Sequence, residues 1–168
     1  MDDAIIVVPD HVIVADLDVT VDITHTSVFD LQLRLVGPSG DTCWLNFYNP
    51  FEFFPGQDYA ATVFDDEAPV PIQQAVPPFA GRFTPRTPLA VFDGCDASGR
   101  WRLQVNDTMY ADSGLLNSFG LTITATTPEP PTLLCFGLAL FLTFRFSKPP
   151  RHYTPFNHPR PRTPPPSR

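Results

Sequence analysis

Apolar and polar residues alternate along several stretches of the first 126 positions. From Leu17 to Thr24 four apolar residues alternate with four polar ones, and the pattern returns from Leu31 to Leu35. Alternation with a period of two is typical of strands that bury one face and leave the other in water. The pattern therefore predicts two β-strands, the second of which ends at a Gly-Pro-Ser-Gly turn at residues 37–40.

Two further alternating segments lie later in the chain. Trp101, Leu103 and Val105 alternate with arginine and amide residues, and after a polar turn at residues 112–114 the alternation resumes on a second apolar face, made of Phe119, Leu121 and Ile123. Two such segments joined by a short polar turn predict a β-hairpin. Because Trp101 shares the apolar face of its strand with Leu103 and Val105, we expect it at the centre of the core.

The same region carries no helical pattern. No segment of ten or more residues has apolar positions at i, i+3 and i+4, and 13 of the 21 prolines precede Thr132. Since proline removes a backbone donor and breaks helix interiors, the sequence predicts an all-β domain. The aromatic and irregular stretch from Cys43 to Ala60 is interpreted either as a lid over the core or as a binding surface.

The distribution of charge along the chain argues against one class of partner. All 18 acidic residues lie at or before Glu129, whereas only five of the 11 basic residues do, so this part carries a formal charge of −13 and the remainder +6. An acidic domain repels phosphate, which argues against nucleic acid as a partner. A solvated extracellular domain that binds cations fits this charge better.

Cysteine usage is sparse. Cys43 and Cys95 lie in the acidic part and Cys135 in a later apolar run. In an exported protein Cys43 and Cys95 could form a disulfide, and the commoner alternative is two separate buried thiols. No CxxC, HExxH or cysteine and histidine cluster is present, so the sequence does not predict a zinc site.

Several linked motifs resemble one known family. They are His25-Thr26, Asp30-Leu31, FDGCDASGRWRLQVND at residues 92–107, and GLTI at residues 120–123. Together they resemble the P domain (P/Homo B domain), the non-catalytic module that follows the subtilisin-like domain in kexin- and furin-type proprotein convertases. The resemblance implies a jelly-roll-like antiparallel β-sandwich of the galactose-binding-like kind over residues 1–126.

The domain is not expected to be an enzyme. His25, Asp30 and Ser98 are the residue types of a serine-protease triad, but the subtilisin Gly-Thr-Ser turn and the G-x-S-x-G elbow are both absent from the sequence. Three functions stay open: a surface or matrix module that binds protein or glycan, the accessory part of a subtilisin-like endopeptidase, and a structural matrix component without a specific ligand.

Loop carboxylates are the candidate site residues. Asp30, Asp66 and Asp107 lie at predicted strand ends, where oxygen ligands from neighbouring loops suit calcium. The alternative is that all three are solvated carboxylates in turns. His25 is predicted to be a hydrogen-bonded structural residue, because neither cysteine nor another histidine stands near it in the sequence.

The composition changes after residue 126. Twelve mostly apolar residues, Leu133 to Phe144, would span about 18 Å as a helix, which is short for a membrane core of about 30 Å. The residues around this short helix resemble a PEP-CTERM sorting signal, processed by an exosortase: Pro128, Glu129 and Pro130 before it, and the basic Arg145, Lys148 and Arg151 after it. This assigns residues 127–147 to sorting and transient membrane anchoring.

The sequence also predicts the character of the two ends of the chain. Residues 148–168 are rich in proline and arginine, and we expect them to be disordered. The first residues show neither a basic region nor an apolar one, so they do not predict a signal peptide. The C-terminal signal implies export to the cell surface or matrix, and the resemblance implies further residues ahead of the stretch from Val12 to Thr24. We therefore expect the natural N-terminus to lie further upstream, or the chain to be the tail of a longer protein.

Overall fold

The computed structural model describes residues 3–47, 49, 56–109 and 113–126, all within the compact unit Met1–Glu129. Their regular structure consists of eight strands: β1 Ala4–Val8, β2 Val14–His25, β3 Leu31–Val36, β4 Thr42–Asn46, β5 Tyr59–Phe64, β6 Arg82–Phe83, β7 Gly99–Asp107 and β8 Gly114–Ala125. Three short 3-10 turns lie between them, at Val28–Asp30, Ile72–Gln74 and Leu89–Phe92. The predicted all-β fold class is confirmed.

The strands form two sheets of four. The first sheet has the order β1-β7-β3-β4 and the second the order β6-β5-β2-β8. All pairings are antiparallel except that of β5 with β6, which is parallel and covers only two residue pairs. The predicted β-sandwich is confirmed, with this short parallel pairing as the departure from a purely antiparallel one.

The predicted hairpin of the third and fourth alternating segments is wrong. These segments are β7 and β8, and they lie in different sheets. β7 is an inner strand between β1 and β3, whereas β8 pairs with β2 along almost its whole length, from Val14 with Ala125 to His25 with Gly114. The connection after Asp107 therefore crosses from one sheet to the other.

The core lies between the sheets and is built from the alternating apolar residues. Trp101 is fully buried, as predicted, and its indole Nε1–H donates a hydrogen bond to the Ala97 carbonyl at 2.8 Å. Its ring meets that of Phe92 edge to face, with centroids 5.0 Å apart. The apolar faces of β2 and β3 are also buried, which confirms both predicted strands: Leu17, Val19, Val21, Ile23, Leu31, Leu33 and Leu35.

Four strands, β1, β4, β5 and β6, lie where the alternation predicted none. β1 is a run of five apolar residues without alternation, and β4 lies inside the stretch interpreted as irregular. Within that stretch Tyr59 is fully buried and accepts a 2.8 Å hydrogen bond from the Asn46 amide, whereas Trp44 and Phe47 are half-buried. Part of the stretch therefore belongs to the core, and its residues 48 and 50–55 lie outside the described residues.

Cys43 and Cys95 are separate free thiols, as in the commoner of the two predicted alternatives, but only Cys43 is buried, and Cys95 is half-buried. Cys43 is buried, and burial raises the pKa of its thiol to about 11. Its Sγ–H donates to the Thr87 carbonyl at 2.9 Å. A thiol with so high a pKa carries little thiolate at neutral pH, so Cys43 is unreactive.

The predicted C-terminal elements cannot be compared with the structure. The sorting motif, the short apolar helix, its basic flank and the proline-rich tail all fall in residues 127–168, outside the described residues. Among the residues that are described, no helix has the length and apolar character needed to cross a membrane.

Candidate functional site

Asp30 and Asp107, two of the three predicted calcium ligands, lie together near the end of β2, next to His25. His25 is only 2% exposed. Its Nε2 lies 3.3 Å from the Asp107 carboxylate, and its Nδ1 lies 2.8 Å from the Ser27 carbonyl oxygen and 3.1 Å from the Ser27 amide nitrogen. The neighbouring Leu31 pairs with Asp107, which brings Asp30 to the same corner. His25 is a buried, hydrogen-bonded residue, as predicted.

Oxygen atoms of Asp30 and Asp107 accept hydrogen bonds from neighbouring residues of the domain. The backbone carbonyl of Asp30 accepts bonds from both the amide and the hydroxyl of Thr108, each at 2.9 Å. The second oxygen of the Asp107 carboxylate accepts from the Met109 amide at 3.0 Å. These bonds fix the turn after β7, so both aspartates hold a strand end in place.

Asp66 lies at the opposite end of the sandwich. It follows β5, whose last residue Phe64 pairs with Val19, and from Val19 to His25 the strand β2 runs for about 20 Å. Its two carboxylate oxygens accept the backbone N–H groups of Leu89 and Ala90, at 3.0 and 2.8 Å. The carboxylate therefore holds the short turn that begins at Leu89.

The three predicted ligands consequently do not form one group. Asp30 and Asp107 are close together and Asp66 is remote from them, so the arrangement does not fit a single calcium ion held by all three. Over residues 3–47, 49, 56–109 and 113–126, no set of three histidine, cysteine or acidic side chains could hold a metal ion. Calcium binding stays a prediction.

A serine, a histidine and an aspartate do meet at the surface, in a set that sequence reasoning missed. The Ser98 hydroxyl and the Asp96 carboxylate lie 2.9 and 2.8 Å from the same nitrogen, Nδ1 of His11. A catalytic triad needs the two ring nitrogens in different roles, one facing the serine and one facing the acid. Because both neighbours share Nδ1, this set is not arranged to activate Ser98.

Asp96 instead organises the turn before β7. Its carboxylate accepts the Ser98 backbone N–H at 2.9 Å. Its contact with His11 raises the pKa of that imidazole, and the same hydrogen bond lowers the pKa of Asp96 to about 2. The geometry indicates a surface hydrogen-bond and charge pair that holds the turn to the segment between β1 and β2.

The outer face of the first sheet carries a different kind of site. A row of polar and aromatic side chains runs across this face, from Asp3 just before β1, over β7 and β3, to β4. The Arg34 guanidinium lies 5.2 Å from the centroid of the Trp44 ring, and its Nε–H donates to the Gln104 amide oxygen at 2.8 Å. The Gln104 amide nitrogen in turn donates to Asp3 at 3.2 Å. Each residue faces outward because its strand neighbours fill the core.

This row forms the floor of an open groove of about 310 Å³. We call it the amide trough, and its polar and aromatic lining consists of Asp3, Gln32, Arg34, Trp44, Gln104 and Asn106. A second open groove of about 460 Å³ adjoins it at Asp3 and is lined by Ile5, Arg100 and Arg102, among others. Three of the five arginines before Glu129 thus lie on one sheet face.

The arginines on this face are unequally paired. Arg102 lies 3.4 Å from the Asp3 carboxylate. For Arg34 and Arg100, the described part of the chain offers no carboxylate within salt-bridge distance. In a domain with so large an acidic excess, two guanidinium groups without a carboxylate partner on one face make that face suited to an anionic ligand.

Fold and site together define the class of protein: a β-sandwich module whose concave features suit binding and whose described residues include no arranged nucleophile. The profile of the proprotein convertase P-domain matches residues 14–123, which is more than half of the chain. The chain therefore belongs to the proprotein convertase P-domain family, whose members are non-catalytic accessory modules of subtilisin-like proteases.

Two solved structures are also similar to the chain. The serine protease of Aeromonas sobria is 20% identical with a TM-score of 0.38, and the match covers 71% of this chain and 19% of the protease. The complex of that protease with a chaperone gives the same identity and TM-score and covers 75% and 20%. The chain thus spans about a fifth of the length of these proteins. No curated protein matches it.

Proposed function

We propose that the chain is the accessory P domain of an exported subtilisin-like serine endopeptidase, and that it binds and stabilises the catalytic domain. The observation that carries this proposal is the family match over residues 14–123. A module of this family contributes a folded surface to a protease and leaves the chemistry to another domain. The surface geometry of His11, Asp96 and Ser98 agrees with that division of roles, since it lacks the arrangement of a triad.

Strand β8 supplies a surface for such a partner. It is an edge strand of the second sheet, and its inward side chains Leu116, Phe119, Leu121 and Ile123 are only partly buried. The residues of β2 that pair with them are almost completely buried. Leu115 on the same strand is 64% exposed. A row of half-covered apolar side chains along a sheet edge is suited to packing against another domain.

The first test is the DNA immediately upstream of the Met1 codon. An in-frame subtilisin set of aspartate, histidine and serine is the expected result. If that set is found, deleting residues 1–126 from the longer protein should lower the thermal midpoint of its catalytic domain. An in-frame signal peptide that leads directly into this domain would contradict the proposal and favour a surface or matrix module.

The second test addresses β8 directly. The full chain, tagged and returned to its source cells, should recover a subtilisin-like protease identified by mass spectrometry. Leu115→Asp should reduce that recovery, whereas Thr122→Asp, which adds the same charge at another exposed position of β8, should leave it unchanged. Equal recovery with both variants would show that this end of β8 is not the contact.

We further propose that residues 127–147 sort the protein to the cell surface, through Pro128, Glu129 and Pro130, the apolar Leu133 to Phe144 and the basic flank. The charge asymmetry supports this, because the basic end should stay on the cytoplasmic side until an exosortase processes it. Protease protection on fractionated cells tests the topology. A basic tail that is digested from outside intact cells would contradict it.

A further inference from the structure

We propose that the amide trough binds an oligosaccharide that carries carboxylate groups. The first argument is charge. Arg34 lies in the trough and Arg100 in the adjoining groove, and neither has a carboxylate partner among the residues that the structure describes. A guanidinium group binds a carboxylate through two parallel N–H bonds, which gives direction as well as attraction. In Arg34 the Nε and Nη2 groups already donate to the Gln104 amide oxygen, so a ligand carboxylate would bind its Nη1 side, and a second carboxylate would bind the exposed Arg100 guanidinium.

The second argument is the chemistry of the lining. Gln32 and Asn106 each present both donors and acceptors, the pattern that sugar hydroxyl groups require, whereas Gln104 is already bonded to Arg34 and Asp3 and fixes the floor of the trough. The Asn106 amide reaches Gln32 only at 3.5 Å, a long bond that a ligand hydroxyl can replace. Trp44 is half-buried at the edge of the trough; the Arg34 guanidinium lies over its ring, and the part of the ring that remains exposed offers aromatic surface to the apolar side of a sugar ring.

The third argument is size and shape. At about 310 Å³ the trough lies within the usual range of small-ligand sites, and the adjoining groove of about 460 Å³ extends it along β7. Arg100 lies four residues before Gln104 on β7, a separation of about 14 Å along the strand. A ligand that reaches both Arg34 and Arg100 is therefore an extended oligomer with carboxylates at more than one ring.

Other anions fit this face less well. Duplex DNA carries a charge about every 1.7 Å, and most of its phosphates would face a domain with a formal charge of −13. An acidic protein surface would need contiguous apolar contact, whereas the trough has one apolar lining residue, Val105, and the rest are polar, charged or aromatic. The amide groups favour a ligand with many hydroxyl groups.

The experiment is a calorimetric titration of the full chain with an oligogalacturonate of defined length. The matched control ligand is its methyl ester, which keeps the rings and hydroxyl groups and removes the charges. We expect the acid to bind and the ester to bind at least about tenfold more weakly, the effect of losing a charge-assisted hydrogen bond. Poly-glutamate and duplex DNA serve as anions without sugar acids and should bind more weakly than the oligogalacturonate.

Three variants locate the site. Arg34→Gln and Arg100→Gln should each weaken oligogalacturonate binding about tenfold. Arg82→Gln removes the same charge from the outer face of the second sheet and should change the affinity by less than about twofold. Arg100 is exposed, so its substitution leaves the fold intact even if that of Arg34 does not.

Several results of these experiments would contradict the proposal. Absent binding of oligogalacturonate, equal binding of acid and ester, or equal or tighter binding of DNA or poly-glutamate would overturn the proposal. So would an Arg82→Gln variant that loses as much affinity as Arg100→Gln. The result is independent of the proposed protease partner, because Leu115→Asp alters β8 and should leave oligogalacturonate binding unchanged.

Discussion

The two outer faces of the sandwich are built from strands of the same kind and carry opposite charge. On the first sheet Arg34, Arg100 and Arg102 face outward, with Asp3 as their one acidic neighbour in the two grooves. On the second sheet the outward positions of β2 include three acidic residues, Asp16, Asp18 and Asp22. Because neither face contributes to the core, their side chains were free to take separate roles.

The two faces differ in how many of their charged side chains have an oppositely charged partner. On the second sheet Arg82 binds Asp18 at 2.7 Å and Asp65 at 2.8 Å. Asp22 accepts bonds from the Ala61 amide and the Asn117 side chain. One oxygen of Asp18 is the exception, since it has no partner among the described residues. The first face leaves two guanidinium groups without carboxylates, which is why we assign the ligand to that face.

The largest expected effect separates the inside of β7 from its outside. Trp101 and Arg100 are neighbours on this strand, one buried and one exposed. Trp101→Ala should lower the free energy of unfolding by about 3–5 kcal/mol, because it leaves a large cavity under Phe92. Arg100→Gln should change it by no more than about 0.5 kcal/mol. Chemical denaturation of both variants measures the difference, and similar midpoints would show that Trp101 does not support the core.

A smaller effect concerns the acidic face. Burial opposes ionisation of Asp65, but its bonds to Arg82 and to the Glu67 backbone prevail and lower the pKa of this carboxyl. A lowered pKa means that the stabilisation is complete above about pH 4 and is lost as pH falls through the folded-state pKa. Asp65→Asn should therefore lower the thermal midpoint at pH 7 and lose that effect in strong acid. A deficit that is constant from pH 7 to pH 2 would contradict the ion pair.

The smallest expected effect lies at the rim between the faces. The hydrogen bond that His11 donates to the Asp96 carboxylate raises the pKa of His11 above its usual 6.5. The contact therefore contributes below that pH and is lost as pH rises through the raised pKa. At the acid end the contribution is lost as pH falls toward the Asp96 pKa of about 2. An NMR titration of the His11 ring should show the raised pKa, and Asp96→Asn should return it toward 6.5. An unchanged titration in that variant would exclude the contact in solution.

The sequence predicted the strands better than it predicted their neighbours. Alternation indicates that Trp101 and Phe119 each lie on the inward face of a strand, and this is equally true of a hairpin and of two strands in opposite sheets. Whether two strands form a hairpin or lie in opposite sheets depends on long-range pairing, here the pairing of β8 with β2. A periodic pattern of apolar residues does not encode that pairing. β1 was missed for a related reason, since five consecutive apolar residues have no alternation to detect.

The candidate site was predictable only in part. Arg100, Arg102, Gln104 and Asn106 alternate with buried residues, so a polar outer face on β7 follows from the sequence. The trough also needs Asp3, which lies 101 positions from Gln104, and strand order brings them together. The predicted calcium ligands illustrate what the sequence could not show about position. Its three aspartates share a position at strand ends, but strand direction decides which end, and Asp66 is on the other one.

The most direct test of this division of faces is an NMR titration of the labelled full chain with oligogalacturonate. If the first sheet holds the ligand, amide shifts should change around Arg34, Trp44 and Gln104 and saturate together, while those of Asp18 and Asp22 stay in place. Changes confined to β2 and β8, or small changes spread over both sheets without saturation, would contradict the account.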